Sequence, residues 1–213
     1  MVDINFFDMK KYKTIVYVDG FNLYYGVLKN TSYKWLNFDA LVKNLLTKNE
    51  IICLKYFTAH VTDVLRRKNQ TTYINALYKT IPYFECIYGY FREKNVTIRH
   101  LNPPPDIVHG IASEEKCTDV NIAVEIVNDC HTLAFDCVVL ISNDSDLERA
   151  IGIAKKTGKK IVLITPKHKN SKCKTAVQLS RHADHHLKYL NTNVLAKSLL
   201  PNKVGNSFCP KNW

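Results

Sequence analysis

Thr14-Ile-Val-Tyr-Val-Asp-Gly-Phe-Asn22 is the stretch that decides the fold. A run of β-branched and apolar residues leads directly into an aspartate and a glycine, which is typical of a short buried parallel strand followed by a sharp turn. A second run of this kind, Cys137–Ile141, leads into Ser142-Asn-Asp-Ser-Asp146. Because ligands of open α/β sheets bind at the carboxyl ends of the strands, we expect the aspartates of both stretches to lie close together at that edge.

Four aspartates are therefore candidate metal ligands and catalytic residues. Asp19, Asp144 and Asp146 follow predicted strands, and Asp119 opens a predicted helix over residues 118–132. Clustered carboxylates repel one another unless a cation neutralises them, and oxygen ligands suit Mg²⁺ or Mn²⁺. Such a cation lowers the pKa of a bound water, which can then attack a phosphodiester. The pattern predicts a metal-dependent nuclease.

Each aspartate also has a purely structural interpretation. Asp19 is suited to an Asx-turn that caps the next helix, and Asp119 to the first turn of a helix whose N-cap is Thr118. The pair Ser145 and Glu148 has the spacing of a capping box. A capping box needs one acidic residue, whereas three lie within five positions here, so the metal site is the preferred interpretation.

Further residues are expected to support the site. Asn22 and Ser142 are candidates for orienting a metal-bound water or a phosphate oxygen, and capping of a turn is an equally favoured role for either. Glu148 lies one helical turn beyond Asp144 and is a candidate for an additional contact. Glu125 lies about 120° around the helix from Asp119, so an independent solvated role is about equally favoured. Basic side chains that we predict to contact nucleic acid are Arg66, Arg67, Lys68, Lys167, Lys169, Lys172 and Lys174.

Composition limits the protein class. The 213 residues fit one domain with a proper core. The net charge of +11 favours a partner or substrate with phosphates, although solvated lysine faces would produce the same value. Seven cysteines without a C-x-x-C pair fit a reducing cytoplasm. We recognise no signal peptide and no run of about 18 apolar residues, so we expect a cytoplasmic protein without a membrane span.

Strands alternate with helices along most of the chain, which predicts a mainly parallel sheet with helices on both faces. Strands over 84–92 and 94–101 are expected to form a hairpin that turns at residues 93–95. The triple proline then predicts an exposed loop over residues 102–114. In the helix over 118–132, Val120, Ala123, Val124 and Val127 are expected to share one face.

Three strings of residues resemble a known family when they are taken in order. Val18-Asp-Gly-Phe-Asn-Leu-Tyr-Tyr25, Lys116-Cys-Thr-Asp-Val-Asn-Ile-Ala123 and Ser142-Asn-Asp-Ser-Asp-Leu147 have the order and spacing found in NYN domains. These are PIN-like ribonuclease domains similar to the bacterial LabA group. The resemblance covers residues 12–190. We therefore divide the chain into an N-terminal extension (1–11), the domain (12–190) and a loosely packed tail (191–213).

The resemblance implies a three-layer α/β/α fold and an endonuclease that depends on Mg²⁺ or Mn²⁺. The family's aspartates match Asp19 and Asp119, and its Ser-x-Asp-x-Asp matches the string that begins at Ser142. The departures are modest. Asn143 stands where many members carry Gly or Asp, Glu125 stands where a second helical aspartate is common, and Leu147 replaces a frequent Phe.

Several other classes are excluded by missing residues. A phosphatase of the haloacid dehalogenase type needs Asp-x-Asp after its first strand, but Phe21 stands two positions beyond Asp19. Neither a G-x-G-x-x-G fingerprint nor a P-loop occurs. The resemblance therefore implies an endoribonuclease that acts on RNA. The alternatives are a DNA-directed nuclease and a non-catalytic RNA-binding or protein-interaction module. A homodimer is compatible with the sequence.

Overall fold

The structure is a computed structural model that describes residues 11–211. Its main sheet has seven strands in the order β4-β3-β2-β1-β5-β6-β7. All neighbouring pairs are parallel except β3 with β4. The strands are β1 (Tyr12–Asp19), β2 (Asn49–Ala59), β3 (Phe84–Arg99), β4 (Ile107–Lys116), β5 (Cys137–Ile141), β6 (Lys160–Ile164) and β7 (His185–Leu187).

Helices cover both faces of this sheet. One face packs against α2 and α3, which bury Leu41 and Leu77, and the opposite face packs against α4 and α5, which bury Ile126 and Ile151. The predicted three-layer α/β/α class with a mainly parallel sheet is confirmed. The helices are α1 (Gly20–Leu23), α2 (Phe38–Leu45), α3 (Val64–Thr80), α4 (Thr118–Thr132), α5 (Glu148–Lys156), α6 (Val177–Ser180) and α7 (Thr192–Lys197), with a π-helical turn at Tyr24–Leu28 and a 3₁₀ turn at Ser145–Leu147.

The central strand β1 determines where the two strand ends meet. It pairs in parallel with β2 on one side and with β5 on the other, and Val18 lies opposite Ile141. From Ile15 to Asp19 its residues are at most 1% exposed. A strand buried on both faces reads as a continuous apolar run, as this one does. Consequently Asp19 and the segment after β5 emerge side by side at one edge of the sheet.

The predicted hairpin at residues 93–95 is wrong. β3 continues without interruption to Arg99, and the chain turns over residues 100–106, where the prolines lie. The second half of the predicted loop is instead β4. Glu93-Lys-Asn95 is polar enough to suggest a turn. However, each of these residues has a partner on β4, and the prolines, which donate no backbone hydrogen bond, determine where pairing stops.

The predicted apolar face of α4 packs only in part, because Ala123 and Val127 pack against the core while Val120 and Val124 do not. Val120 and Val124 are 62% and 57% exposed, whereas Ile122 and Ile126 are fully buried against the sheet. Both pairs have helical i, i+4 spacing, so periodicity alone does not distinguish them. Packing against the sheet selects the stripe that carries the larger isoleucines.

The C-terminal tail is packed rather than loose. Leu195 in α7 is fully buried, and Leu200 is 4% exposed. The indole N–H of Trp35 donates to the carbonyl oxygen of Pro201 at 2.8 Å. Beyond this point β8 (Lys203–Val204) and β9 (Ser207–Phe208) form a two-stranded hairpin. The predicted N-terminal extension lies almost entirely outside the described residues. Within those residues, none of the helices combines the length and apolarity that a membrane span requires.

Candidate functional site

Asp19 is the most firmly held of the candidate residues. Its side chain is buried, and one carboxylate oxygen accepts from the backbone N–H of Asn22 at 2.9 Å. The other oxygen accepts from the side-chain amide of Asn22 and from the hydroxyl of Ser142, both at 2.8 Å. Burial raises the pKa of Asp19 above its usual value, and Asp144 adds to this, while the hydrogen bonds oppose it. Gly20 permits the turn, because a Cβ there would lie 2.5 Å from the Phe57 carbonyl oxygen.

The segment after β5 joins Asp19 through a shared hydroxyl. Ser142 is fully buried, and its oxygen both donates to Asp19 and accepts from the backbone N–H of Asp144 at 3.1 Å. Asp144 then caps the 3₁₀ turn by accepting from the N–H of Asp146 at 3.0 Å. The side chain of Asp146 is exposed. The predicted capping box of Ser145 and Glu148 does not form, because Asp144 takes the cap position.

Asp119 completes an acidic cluster at this edge. Its pKa is raised to about 6, first by burial and then by the negative charges of Asp144, Asp19 and Glu115. These carboxylates therefore lie near enough to Asp119 to repel its charge. The sequence interpretation overlooked Glu115, which accepts from the backbone N–H of Thr118 at 3.1 Å and from the hydroxyl of the same residue. Thr118 is thus the first residue of α4 rather than its cap.

The carboxylates of this cluster are of the chemical type that binds a divalent cation, although their side chains are not arranged as a set of metal ligands. Within residues 11–211, no group of three or more His, Cys, Asp or Glu side chains is arranged as a metal site. The donor set nevertheless consists of carboxylate oxygens, which hard cations prefer. Burial and the negative charges of Asp144 and Asp19 both raise the pKa of Asp119. A bound cation would offset the repulsion between these charges.

The structure does not bring two of the predicted supporting residues to the cluster. Glu125 pairs with the buried amine of Lys55 at 2.6 Å. Glu148 faces the imidazole of His182 at 3.5 Å, on the side of α5 and α6. By contrast, Asn22 contacts both strand ends, because its side-chain oxygen also accepts from the backbone N–H of Asn143 at 3.3 Å.

A buried polar network below the cluster was missed by the sequence interpretation. The amine of Lys55 on β2 contacts the two carboxylate oxygens of Asp129 on α4 at 2.9 and 2.7 Å. Tyr17 on β1 donates to the same carboxylate at 2.8 Å. Tyr17 lies two positions before Asp19 and opposite Lys55. The position of Lys55 within the apolar run of β2 was the sequence feature that could have indicated this network. The network links β1, β2 and α4, which carry or flank Asp19 and Asp119.

One predicted nucleic-acid segment is attached to the same edge. Asn143 accepts from the backbone N–H of Ala176 at 2.8 Å and donates to the carbonyl oxygen of Lys174 at 2.9 Å. Lys167 donates to the carbonyl oxygen of Cys173 and to the hydroxyl of Thr175, both at 2.9 Å. This lysine therefore holds the loop together. The other predicted residues of this loop, Lys169, Lys172 and Lys174, are exposed.

The second predicted basic segment lies at the start of α3. Arg66, Arg67 and Lys68 are exposed, and the backbone N–H of Arg66 donates to the capping carboxylate of Asp63 at 2.8 Å. The helix begins a few residues after β2 ends at Ala59, and β2 runs parallel to β1. The three basic residues therefore lie at the same edge of the sheet as Asp19, beyond β2.

Residues 13–190 match the NYN domain family. The chain belongs to the NYN domain family. The chain is similar to 6-hydroxy-3-succinoylpyridine 3-monooxygenase from Pseudomonas putida S16. The two sequences are 26% identical over an alignment of 240 positions, which covers 97% of this chain and 77% of that protein. The NYN fold is also shared with a crystal structure of a Vibrio parahaemolyticus protein of unknown function. That match has a TM-score of 0.54 at 17% identity and covers 94% of this chain and 100% of the other.

Proposed function

We propose that this NYN domain is a metal-dependent endonuclease that hydrolyses RNA phosphodiester bonds. The observation that carries the proposal is the link between two strand ends, where the Ser142 hydroxyl donates to Asp19 and accepts from the backbone N–H of Asp144, with Asp119 at the start of α4 at the same edge of the sheet. The mutual repulsion of these carboxylates is compensated if a divalent cation binds among them. The membership in the NYN family supports nuclease chemistry of this kind.

The four aspartates would share one task, and their neighbours would orient them. Asp19, Asp119, Asp144 and Asp146 would hold Mg²⁺ or Mn²⁺, and Asn22 and Ser142 fix the carboxylate of Asp19 in one orientation. A bound cation would activate water and offset the negative charge that develops on the phosphate. The Ser142 hydroxyl, shared between Asp19 and the backbone of Asp144, keeps the two strand ends in register.

Basic residues on both sides of the cluster would hold the RNA backbone. Lys169, Lys172 and Lys174 are exposed on the loop after β6, and Arg66–Lys68 are exposed beyond β2. Lysine and arginine contacts to phosphates increase affinity without specifying sequence, and they make binding sensitive to salt. We assign Lys167 to the loop itself, because its amine already has two partners.

A second candidate function follows from the curated relative. The similarity to 6-hydroxy-3-succinoylpyridine 3-monooxygenase extends over 97% of this chain, so oxygenation of a substituted pyridine is an activity to be tested. Nuclease activity is the preferred proposal, because the identity is 26% and the acidic cluster has a direct role in phosphodiester hydrolysis.

The deciding experiment is a cleavage assay on single-stranded RNA, structured RNA and matched DNA, with Mn²⁺, Mg²⁺ or EDTA. Wild type is compared with Asp19→Asn and Asp119→Asn. Asp119→Asn is the cleaner variant. The carboxylate of Asp119 accepts no hydrogen bond from the described residues, whereas the carboxylate of Asp19 accepts three. The control is Glu50→Gln, an exposed residue at the opposite end of β2.

We expect metal-dependent RNA cleavage that both aspartate variants lose and the control retains. Salt-sensitive RNA binding by all proteins without cleavage would replace the nuclease with the binding-module alternative. Preferential cutting of DNA would change the substrate. Oxygen-dependent consumption of 6-hydroxy-3-succinoylpyridine in the presence of a two-electron reductant, in a preparation that cuts no nucleic acid, would favour the second candidate.

A further inference from the structure

The hairpin of β3 and β4 extends beyond the rest of the sheet. β3 pairs with β2 only from Phe84 to Gly89, whereas from Tyr90 to Arg99 it pairs with β4. We call residues 90–116 the arm. At about 3.3 Å per residue, its ten-residue strands extend about 33 Å. β4 is the last strand of the sheet, so among the described residues no strand pairs with its outer edge.

The outer edge of β4 lacks the usual protection against pairing. Natural edge strands are short, or carry prolines, lysines or bulges that prevent another strand from adding. From Ile107 to Ser113 the strand contains no proline and no lysine, and its register with β3 is continuous over ten pairs. Its backbone donors and acceptors are therefore available to a strand from another chain.

The side chains near this edge are apolar and exposed. Ile111 is 72% exposed and Ile107 55%, and Ile98 on the neighbouring strand is 58% exposed. Leu101 in the turn is 95% exposed. Single exposed apolar residues are ordinary, but several on one β-hairpin with an unpaired outer edge are typical of an interaction surface.

The charge of the arm indicates what kind of partner it binds. The chain carries a net charge of +11, yet the arm contains as many acidic residues (Glu93, Asp106, Glu114, Glu115) as basic ones (Arg92, Lys94, Arg99, Lys116). A surface for RNA or for an anionic membrane would concentrate basic residues. A neutral ribbon with a free edge is suited instead to another β-strand.

A second copy of this chain satisfies these conditions. Two chains that each carry a net charge of +11 repel each other. Pairing through arms of about 33 Å would separate the rest of the two chains by more than the Debye length, which is about 8 Å at physiological salt. We propose that two chains associate through the outer edges of their β4 strands. The strands would pair antiparallel about a two-fold axis near Ile111, which joins the two sheets into one.

The experiment is sedimentation equilibrium and light scattering on the full chain from about 1 to 100 μM. Wild type is compared with Ile111→Lys, and the matched control is Val124→Lys, an exposed valine on α4 outside the arm. We expect wild type and the control to reach twice the 24.5 kDa of one chain. We expect Ile111→Lys to dissociate at least tenfold more readily, because it places like charges next to the axis.

Two further readouts keep the test decisive. Circular dichroism and thermal unfolding establish that Ile111→Lys is folded, which its exposure leads us to expect. Hydrogen exchange at low and high concentration should show protection rising with concentration in residues 107–113. A wild type that stays monomeric to 100 μM overturns the proposal. So does a dimer that Ile111→Lys leaves intact, or a dimer whose protection changes lie outside the arm.

Discussion

Replacing Asp119 with asparagine separates the stability of the site from its chemistry. The pKa of Asp119 is raised from 3.8 to about 6, mainly by burial and by the charges of Asp144 and Asp19. A shift of this size corresponds to at most about 3 kcal/mol. Because the side chain is partly exposed, solvent screening reduces the effect. We expect Asp119→Asn to stabilise the metal-free protein by on the order of 1 kcal/mol at pH 7.5.

The sign of this effect depends on pH. The folded state holds the proton of Asp119 up to about pH 6, whereas the unfolded chain releases it near pH 3.8. For this group, the free energy of unfolding of wild type therefore decreases as the pH rises from about 4 to 6. Below about pH 4 the carboxyl is protonated in both states. The advantage of Asp119→Asn should be absent there, appear between pH 4 and 6, and remain constant above pH 7.

The assay is urea unfolding in EDTA at pH 3.8, 5, 6 and 7.5, with wild type and Asp119→Asn side by side. A parallel series with Mn²⁺ should reverse the order at pH 7.5, because a cation that binds the folded wild type stabilises it. The reasoning is refuted if Asp119→Asn destabilises the metal-free protein at pH 7.5. It is also refuted if the variant gains as much at pH 3.8 as at pH 7.5.

Three other substitutions test parts of the structure that position the site. Lys55→Met leaves the buried carboxylate of Asp129 without its cation, and urea unfolding should show a loss of about 3–5 kcal/mol. Gly26→Ala places a Cβ 1.9 Å from the Pro166 carbonyl oxygen and should lower stability by about 1–3 kcal/mol in the same assay, whereas Gly110→Ala, which meets open space, should change little. Ser142→Ala removes a buried donor to Asp19, which should cost about 1–3 kcal/mol and weaken Mn²⁺ binding measured by calorimetry.

The sequence predicted those parts of the fold in which local pattern and global position agree. β1 and β5 are continuous apolar runs, since both faces of each strand are covered, and that pattern has one simple interpretation. The placement of Asp19 and Asp144 follows from the strand ends alone. α4 was predicted as a helix from the spacing of its apolar residues. The spacing did not indicate which side of the helix is buried, because apolar residues occupy two stripes.

Contacts between distant segments were beyond prediction. The pairing of Lys55 with Asp129 joins residues 74 positions apart. A buried lysine needs a partner, but the sequence offers many acids and does not indicate which of them folding brings near.

The two best candidate ligands are held in opposite ways, and this difference has a consequence for the site. Asp19 has three hydrogen bonds that fix its orientation, whereas the pKa of Asp119 is raised first by burial and then by the negative charges of neighbouring carboxylates. In the proposed site, Asp19 would therefore be a preformed ligand. Asp119 would gain a stabilising contact only when a cation is present. Substitutions around Asp19 should disturb geometry and stability together, while substitution of Asp119 should remove affinity for the cation and leave the fold intact.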